Sequence, residues 1–159
     1  AAAIVSLGSS HPTLAIGAGS VYDAATAKRM IDAGAQFLVS PITDPATGAA
    51  ATAAGIDWLP GAFTPTEISL AERSGATYVK LFPAAAINAP AFIRATLAPS
   101  PTSKIVPTNV GLDEIAALVA AGAAGFGVGP KLLDGADPRS ATAIAARLRA
   151  AREAAGHPA

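Results

Sequence analysis

One phrase recurs along this chain and leaves few folds open to it. "DAGAQFLVSP", "AAGIDWLPGAF", "RSGATYVKLFP" and "AAGAAGFGVGP" each carry the end of an alanine-rich run, a glycine, and then a short apolar segment. Gly34, Gly55 and Gly75 suit the left-handed position just past a helix end. Their spacing of about twenty residues is that of a strand–helix unit with short loops. Helix starts are marked as well. Asp23 heads "AATAKRMIDA", Asp44 with Pro45 follows "FLVSPIT", and Thr64 opens "TPTE". In the last of these, Pro65 fits the first helical position and Glu67 completes a capping box. Strands are expected around 14–19, 36–40, 57–61, 77–82, 104–108 and 124–128. A last helix is expected from Pro138 to Ala155, with Arg147, Arg149 and Arg152 on its polar side.

Strands that alternate with helices and read as apolar runs indicate a parallel sheet covered on both faces. An open doubly wound sheet would need a switch point, and no "GxGxxG" turn follows a strand. A (β/α)8 barrel places small or functional residues at the C-terminal ends of its strands. "GAGS", "VSP", "PGAFT", "KLFP", "PTNVG" and "GVGPK" stand at those ends. The reading is therefore an α/β chain with a (β/α)8 barrel, as one domain over residues 1–159. About six of the eight units are found, and "AAAIVSLGSS" reads as the tail of a helix. The expectation is that the N-terminal units are missing from this sequence.

Composition removes several function classes. Of 159 residues, 52% are hydrophobic and 14% charged, which favours a packed core over disorder. Eleven basic residues balance eleven acidic ones, so no strong field draws nucleic acid or an anionic membrane. There is no cysteine, which excludes disulfides and thiolate chemistry. His11 and His157 lie near opposite termini and cannot form a metal cluster with local spacing, so no metal and no cofactor are expected. No apolar run reaches the ~18 residues of a membrane span. A soluble cytoplasmic protein is expected, with no nucleic-acid or membrane partner.

Within "SGATYVKLFPA", strand periodicity puts Tyr78, Lys80 and Phe82 on one face and Val79 and Leu81 on the other. Both faces look buried. An ammonium facing a barrel interior is desolvated, and its pKa, ~10.4 in water, moves down. A neutral, accessible lysine attacks carbonyls and forms Schiff bases. The alternative is a lysine that reaches out of the barrel mouth to a loop carboxylate. Ser20, Thr64 and Thr108 end or follow strands, where their hydroxyls could surround a small carbonyl acid. Ser20 and Thr64 could equally cap helices. Backbone N–H groups in "TNVG" and "GVGPK" could hold an anion, a common arrangement in this fold.

"IGAGSV", "GAQFLVSP", "LPGAFTPTE", "VKLFPA", "VPTN" and "GVGPKLL", in this order and spacing, resemble the 2-keto-3-deoxy-6-phosphogluconate (KDPG) aldolases. They also resemble the related 2-dehydro-3-deoxy-6-phosphogalactonate (KDPGal) and 4-hydroxy-2-oxoglutarate aldolases. The resemblance implies a class I aldolase of the Entner–Doudoroff type, a lyase working without metal and assembled as a homotrimer. Such an enzyme cleaves a 2-keto-3-deoxy-6-phospho sugar acid to pyruvate and glyceraldehyde 3-phosphate. Lys80 matches the Schiff-base lysine. Ser20 matches a threonine beside the pyruvate carboxylate, Pro41 and Phe82 match pocket walls, and Thr108 matches another substrate contact. The phosphate would fall to Asn109, Val110, Gly111, Gly129, Pro130 and Lys131.

Three departures stand beside it. The family's proton-moving glutamate would lie before residue 1, and neither Glu67 nor Glu72 replaces it at a strand end. The phosphate turn, usually Thr-Gly-Gly, is Thr108-Asn109-Val110-Gly111 here. The last phosphate loop has Pro130, which lacks an N–H, and Lys131 in place of the usual Gly-Ser ending. A barrel of altered specificity, or one that binds a small 2-oxo acid without cleaving it, is the alternative. A further alternative is an assembly subunit whose lysine pairs at an interface.

Overall fold

The structure, a computed structural model, describes residues 1–137 and 139–156. It divides into two compact units, Ala1–Phe82 and Pro83–Ala159. The first holds helix α1 (Ala2–Ser10), α2 (Ala24–Asp32), strand β1 (Phe37–Val39), α3 (Pro45–Ala54), β2 (Asp57–Leu59), β3 (Gly61–Ala62), α4 (Pro65–Arg73) and β4 (Val79–Leu81). The second holds α5 (Ala89–Leu97), β5 (Ile105–Pro107), α6 (Ile115–Ala120) and α7 (Ala141–Ala154).

The recurring phrase has one structural meaning. Past α2, α3, α4 and α6 the chain turns through Gly34, Gly55, Gly75 and Gly122, with φ of 92°, 67°, 92° and 90°. The residue after each glycine then donates back across the turn. These bonds run from Ala35 to Met30, Ile56 to Ala51, Ala76 to Ala71 and Ala123 to Leu118, at 3.0–3.1 Å. Only glycine enters this left-handed conformation without a Cβ penalty, so each helix ends at its glycine and the next segment runs out extended. Side chains set the other ends. Asp23, Asp44 and Thr64 accept from Thr26, Thr47 and Glu67, and Glu67 closes the expected capping box on α4.

In the first unit the extended segments line up in sequence order, each parallel to the next. Ala18 bridges Leu38, β1 pairs with β2, and β3 pairs with β4 with Gly61 opposite Lys80. Two of the expected strands are shorter than the sequence suggests. Segments 14–19 and 124–128 contribute single bridges, at Ala18–Leu38 and Thr108–Gly127. The expected 57–61 strand is broken at Pro60, which has no N–H to donate. Its carbonyl accepts from the Lys80 N–H at 2.8 Å, so the break is also where pairing passes from β1 to β4. "AAAIVSLGSS" is helical, as read. The expected start of the last helix, Pro138, lies outside the described residues, as does His157; α7 begins at Ala141, capped by Ser140.

Trp58 anchors the first core. It is wholly buried, and its indole N–H donates to the buried Ser40 hydroxyl at 2.9 Å, so the ring is enclosed without stranding its polar atom. Around it pack Leu38, Val21, Ala27 and Ala51. Helix α3 presses so close that a Cβ on Gly48 would lie 2.2 Å from the Ser74 carbonyl and 2.4 Å from the Trp58 ring. In the second unit Ile93, Ile105, Ile115 and Leu118 are buried between β5, α5 and α6. Among the described residues no helix is long and apolar enough to cross a membrane.

Two glycine substitutions should separate contact from propensity. Gly48→Ala is expected to lower the free energy of unfolding by about 1–3 kcal/mol through overpacking. Gly8→Ala, on α1 with nothing near the added methyl, should raise it by up to about 1 kcal/mol. Urea unfolding of both variants checks the opposite signs.

Candidate active site

Strand β4 sets Lys80 apart from its neighbours. Val79 and Leu81 are fully buried on one face, while Lys80 is half-buried on the other. Its Nζ lies 4.3 Å from the centre of the Phe82 ring, over the face. Phe82 itself is 40% exposed. The expectation that both faces are buried is thus corrected: the lysine face is open on one side, and the Phe82 ring forms its floor. Burial lowers the pKa of Lys80 from its ordinary value. Among the described residues the salt bridges are Lys28–Asp32 and Lys131–Glu114, so no carboxylate pairs with Lys80. The reading in which it reaches out to a loop carboxylate has no partner to rest on.

Gly61 explains how close the neighbouring backbone comes. It pairs with Lys80 across the ladder, and a Cβ on it would stand 2.1 Å from the Pro41 carbonyl oxygen. Pro41 and Lys80 are therefore both immediate neighbours of Gly61. Thr43 fastens the Pro41 loop by donating to the Gly61 carbonyl at 3.1 Å. The sequence reading missed Thr43, a lone hydroxyl four residues past the end of β1 that gave no signal. Ser20 lies two residues beyond the Ala18 bridge, exposed, with φ of 57°. A non-glycine residue there stores of order 1–3 kcal/mol of strain, a cost that gathers at functional sites. Ser20 does not cap α2; Asp23 does. Thr64 does cap α4 and is engaged there, as is Glu67, whose carboxylate accepts from the Phe63 and Thr64 N–H groups at 2.7 and 2.9 Å. Those backbone bonds hold the Glu67 pKa low.

The second unit carries the remaining expected residues. Thr108, at the end of β5, bridges Gly127, and Asn109 turns the chain with φ of 60°. The side chain of Val110, one of the residues expected at the phosphate, is buried. Gly111 donates its N–H to the Glu114 carboxylate at 2.5 Å, and the Lys131 ammonium reaches the same oxygen at 3.0 Å. These contacts hold the Glu114 pKa low, the Gly111 N–H foremost and Lys131 next. Gly129 and Pro130 lead into a turn of 3-10 helix over Pro130–Leu133, which Arg147 of α7 ties down through the Leu132 and Lys131 carbonyls. Glu114 was not singled out in the sequence, although Gly111-x-x-Glu114 before an apolar run has capping-box spacing. Among the described residues no group of three His, Asp or Glu side chains could hold a metal ion.

The family model for KDPG and KHG aldolase matches residues 1–143. This chain belongs to that family. It is 37% identical over 119 residues to a probable 2-dehydro-3-deoxy-6-phosphogalactonate aldolase of Rhizobium meliloti (strain 1021), covering 74% of this chain and 56% of that one. It is also 37% identical over 115 residues to the 2-dehydro-3-deoxy-phosphogluconate aldolase of Pseudomonas aeruginosa, covering 72% and 52%. The chain thus spans about half the length of the curated relatives it matches. A crystal structure of a 4-hydroxy-2-oxoglutarate/2-dehydro-3-deoxyphosphogluconate aldolase from TTHB1 superposes with a TM-score of 0.85 at 31% identity. It covers 97% of this chain and 74% of that one. The fold is accordingly TIM-barrel-like, and this member of the KDPG and KHG aldolase family carries a part of it.

Two substitutions probe the Lys80 surroundings. Gly61→Ala should cost about 1–3 kcal/mol, because the Pro41 backbone must move. Lys80→Met breaks no ion pair and removes a partly desolvated amine, so stability is expected to stay within about 1 kcal/mol of the parent or rise above it. Thermal and denaturant unfolding of the two variants check this contrast.

Proposed function

We propose that the chain carries the pyruvate-forming lysine of a class I aldolase acting on 2-keto-3-deoxy sugar acids. The observation that carries this reading is Lys80: a half-buried amine with its pKa lowered by burial, floored by an aromatic ring and paired with no carboxylate. The names of the relatives point to a phosphorylated acid; in this reading a 6-phosphorylated acid is cleaved to pyruvate and glyceraldehyde 3-phosphate. A homotrimeric assembly belongs to the same reading.

The neutral Lys80 amine attacks the keto carbon, and loss of water from the carbinolamine leaves a protonated imine. The bond between the third and fourth carbons breaks, and its electron pair moves into the imine as an enamine. The proton of the C4 hydroxyl departs to a base as the aldehyde leaves. Protonation at the third carbon and hydrolysis then release pyruvate and restore the amine. The cationic imine lowers the barrier by meeting the developing carbanion with a fixed positive charge. In this reading Ser20 stands beside the pyruvate carboxylate, and Pro41 and Phe82 form walls of the pocket.

The proton transfers need an acid–base group. Glu67 is engaged in its cap and Glu114 with Gly111 and Lys131, so neither is offered for this role; in a second reading a 2-oxo acid is bound as an imine but not cleaved. Borohydride reduction in the presence of pyruvate separates these from a bland lysine. Both readings expect one stable pyruvate-derived adduct, located by peptide mass analysis at Lys80, and only the first expects release of pyruvate from a sugar acid. An unlabelled Lys80 discards both.

The pH dependence follows from the direction of the shift. Lys80 in the folded chain loses its proton below the 10.5 of an ordinary lysine. The rate of imine trapping should therefore climb with pH and level off before that value. Between the two values the unfolded chain binds more protons than the folded one, so stability rises with pH across that window. Trapping rates and unfolding midpoints over the alkaline range test both trends.

A further inference from the structure

The two ladders of the first unit part at Pro60. On one side the Ser40 N–H donates to the Leu59 carbonyl at 3.0 Å, and on the other the Lys80 N–H donates to the Pro60 carbonyl at 2.8 Å. Register continued from Val39 opposite Leu59 would next bring the Ile42 N–H to the Gly61 carbonyl. The Thr43 hydroxyl takes that carbonyl instead, at 3.1 Å. A side chain thus replaces a backbone bond at the step opposite Lys80, since Gly61 pairs with Lys80 across the other ladder. The turn is anchored at both ends. Ser40, just before it, is buried and accepts from the Trp58 indole N–H at 2.9 Å. Asp44, just after it, caps α3 by accepting from the Thr47 N–H and hydroxyl at 2.9 and 2.7 Å. Between these anchors Pro41 lies so close to Gly61 that no Cβ fits there.

We propose that Thr43 is a positioning residue: by donating to the Gly61 carbonyl it holds the Pro41 turn against the backbone opposite Lys80, and so sets where a 2-oxo acid meets the amine. The proposal rests on the aldolase reading, in which Pro41 forms a wall of the pocket. Pro41 has no N–H to pair, and Ile42 is exposed, so Thr43 supplies the hydrogen bond that joins residues 41–43 to β3. Its β-branched side chain has few rotamers, which keeps the turn within a narrow range. An amine and a carbonyl carbon react from about 3–3.5 Å, and a misplacement of about 1 Å can cost about a hundredfold in rate. Without the Thr43 bond the turn stays attached at Ser40 and Asp44, but Pro41 is free to lift from Gly61.

Imine trapping on the intact protein tests this. The Lys80 nitrogen bonds to the keto carbon of pyruvate with loss of water, and hydride from borohydride reduces the iminium carbon to a stable secondary amine. Trapping rates are measured against pyruvate concentration for the parent, Thr43→Val and Thr43→Ser. Thr43→Val keeps the shape and removes the donor, and should lower the limiting rate by about tenfold. Thr43→Ser keeps the donor and should restore the rate to within about twofold of the parent. The pH at which the rate levels off should be the same in all three, because the burial of Lys80 is unchanged. A role confined to stability predicts a lower unfolding midpoint for Thr43→Val with an unchanged trapping rate in the folded protein. That result overturns the proposal, as does a serine variant as slow as the valine one. Trp58 is the single tryptophan, so its indole N–H signal in NMR reports whether the core beneath the turn is intact in each variant. If Thr43→Val does not fold, Thr43→Ala takes its place with the same expected loss, since its smaller side chain lets water reach the Gly61 carbonyl. A parent that gives no adduct at Lys80 defeats the aldolase reading and this proposal together, whereas a labelled parent with unimpaired variants defeats this proposal alone.

Discussion

The left-handed glycine turn is the constraint from which the rest of this molecule follows. Each helix is stopped one residue past its last turn, and a backbone bond across the glycine aims the next segment along a direction parallel to the previous one. Repeated at Gly34, Gly55 and Gly75, it sets four extended segments side by side in the first unit, with their C-terminal ends on one rim. Register then does the rest. With Gly61 opposite Lys80 and the Lys80 N–H fixed to the Pro60 carbonyl, the side chain of residue 80 must leave the sheet on the face away from Val79 and Leu81. A slip of one residue would bury the amine among the helices and expose two core side chains.

Two lysines show how differently the chain treats a cation. Lys131 is matched by Glu114 at 3.0 Å, and the pair sits at the surface, where such contacts add little stability but do fix geometry. Lys80 has an aromatic face and partial burial but no counter-ion. Desolvation by burial pulls its pKa down. An ion pair there would hold the amine protonated and unreactive.

The fold was legible because its signals are local. The glycines after helices, the capping box at Thr64 and Glu67, and the alternation around Lys80 are each written within a few residues. What escaped was set by contacts between segments. The strand at 57–61 is interrupted because Pro60 cannot donate, and its two halves serve different neighbours. Segments 14–19 and 124–128 have the apolar character of strands but make one bridge each. Phe82 was read as a buried wall from its position, yet the openness of its face depends on what lies across from it, which strand periodicity does not encode. Val110 was read as part of a phosphate turn, and the side chain that follows the turn at Asn109 is buried in the core.

The two capping-box glutamates are a final case where spacing alone misleads. Thr64-x-x-Glu67 and Gly111-x-x-Glu114 have the same form, and in both the carboxylate accepts backbone N–H bonds ahead of a helix. At Glu67 the carboxylate accepts from two backbone amides of its own segment and the Thr64 hydroxyl accepts from the Glu67 N–H in return, so the motif is complete as a cap. Position 111 is glycine, which has no side chain to return the cap, and a lysine from seventeen residues further on takes up the contact instead. The Glu114 carboxylate is thereby held between a backbone N–H of its own turn and an ammonium from another segment. A local rule identifies both glutamates as caps, and only the long-range lysine distinguishes the one that also ties two segments together.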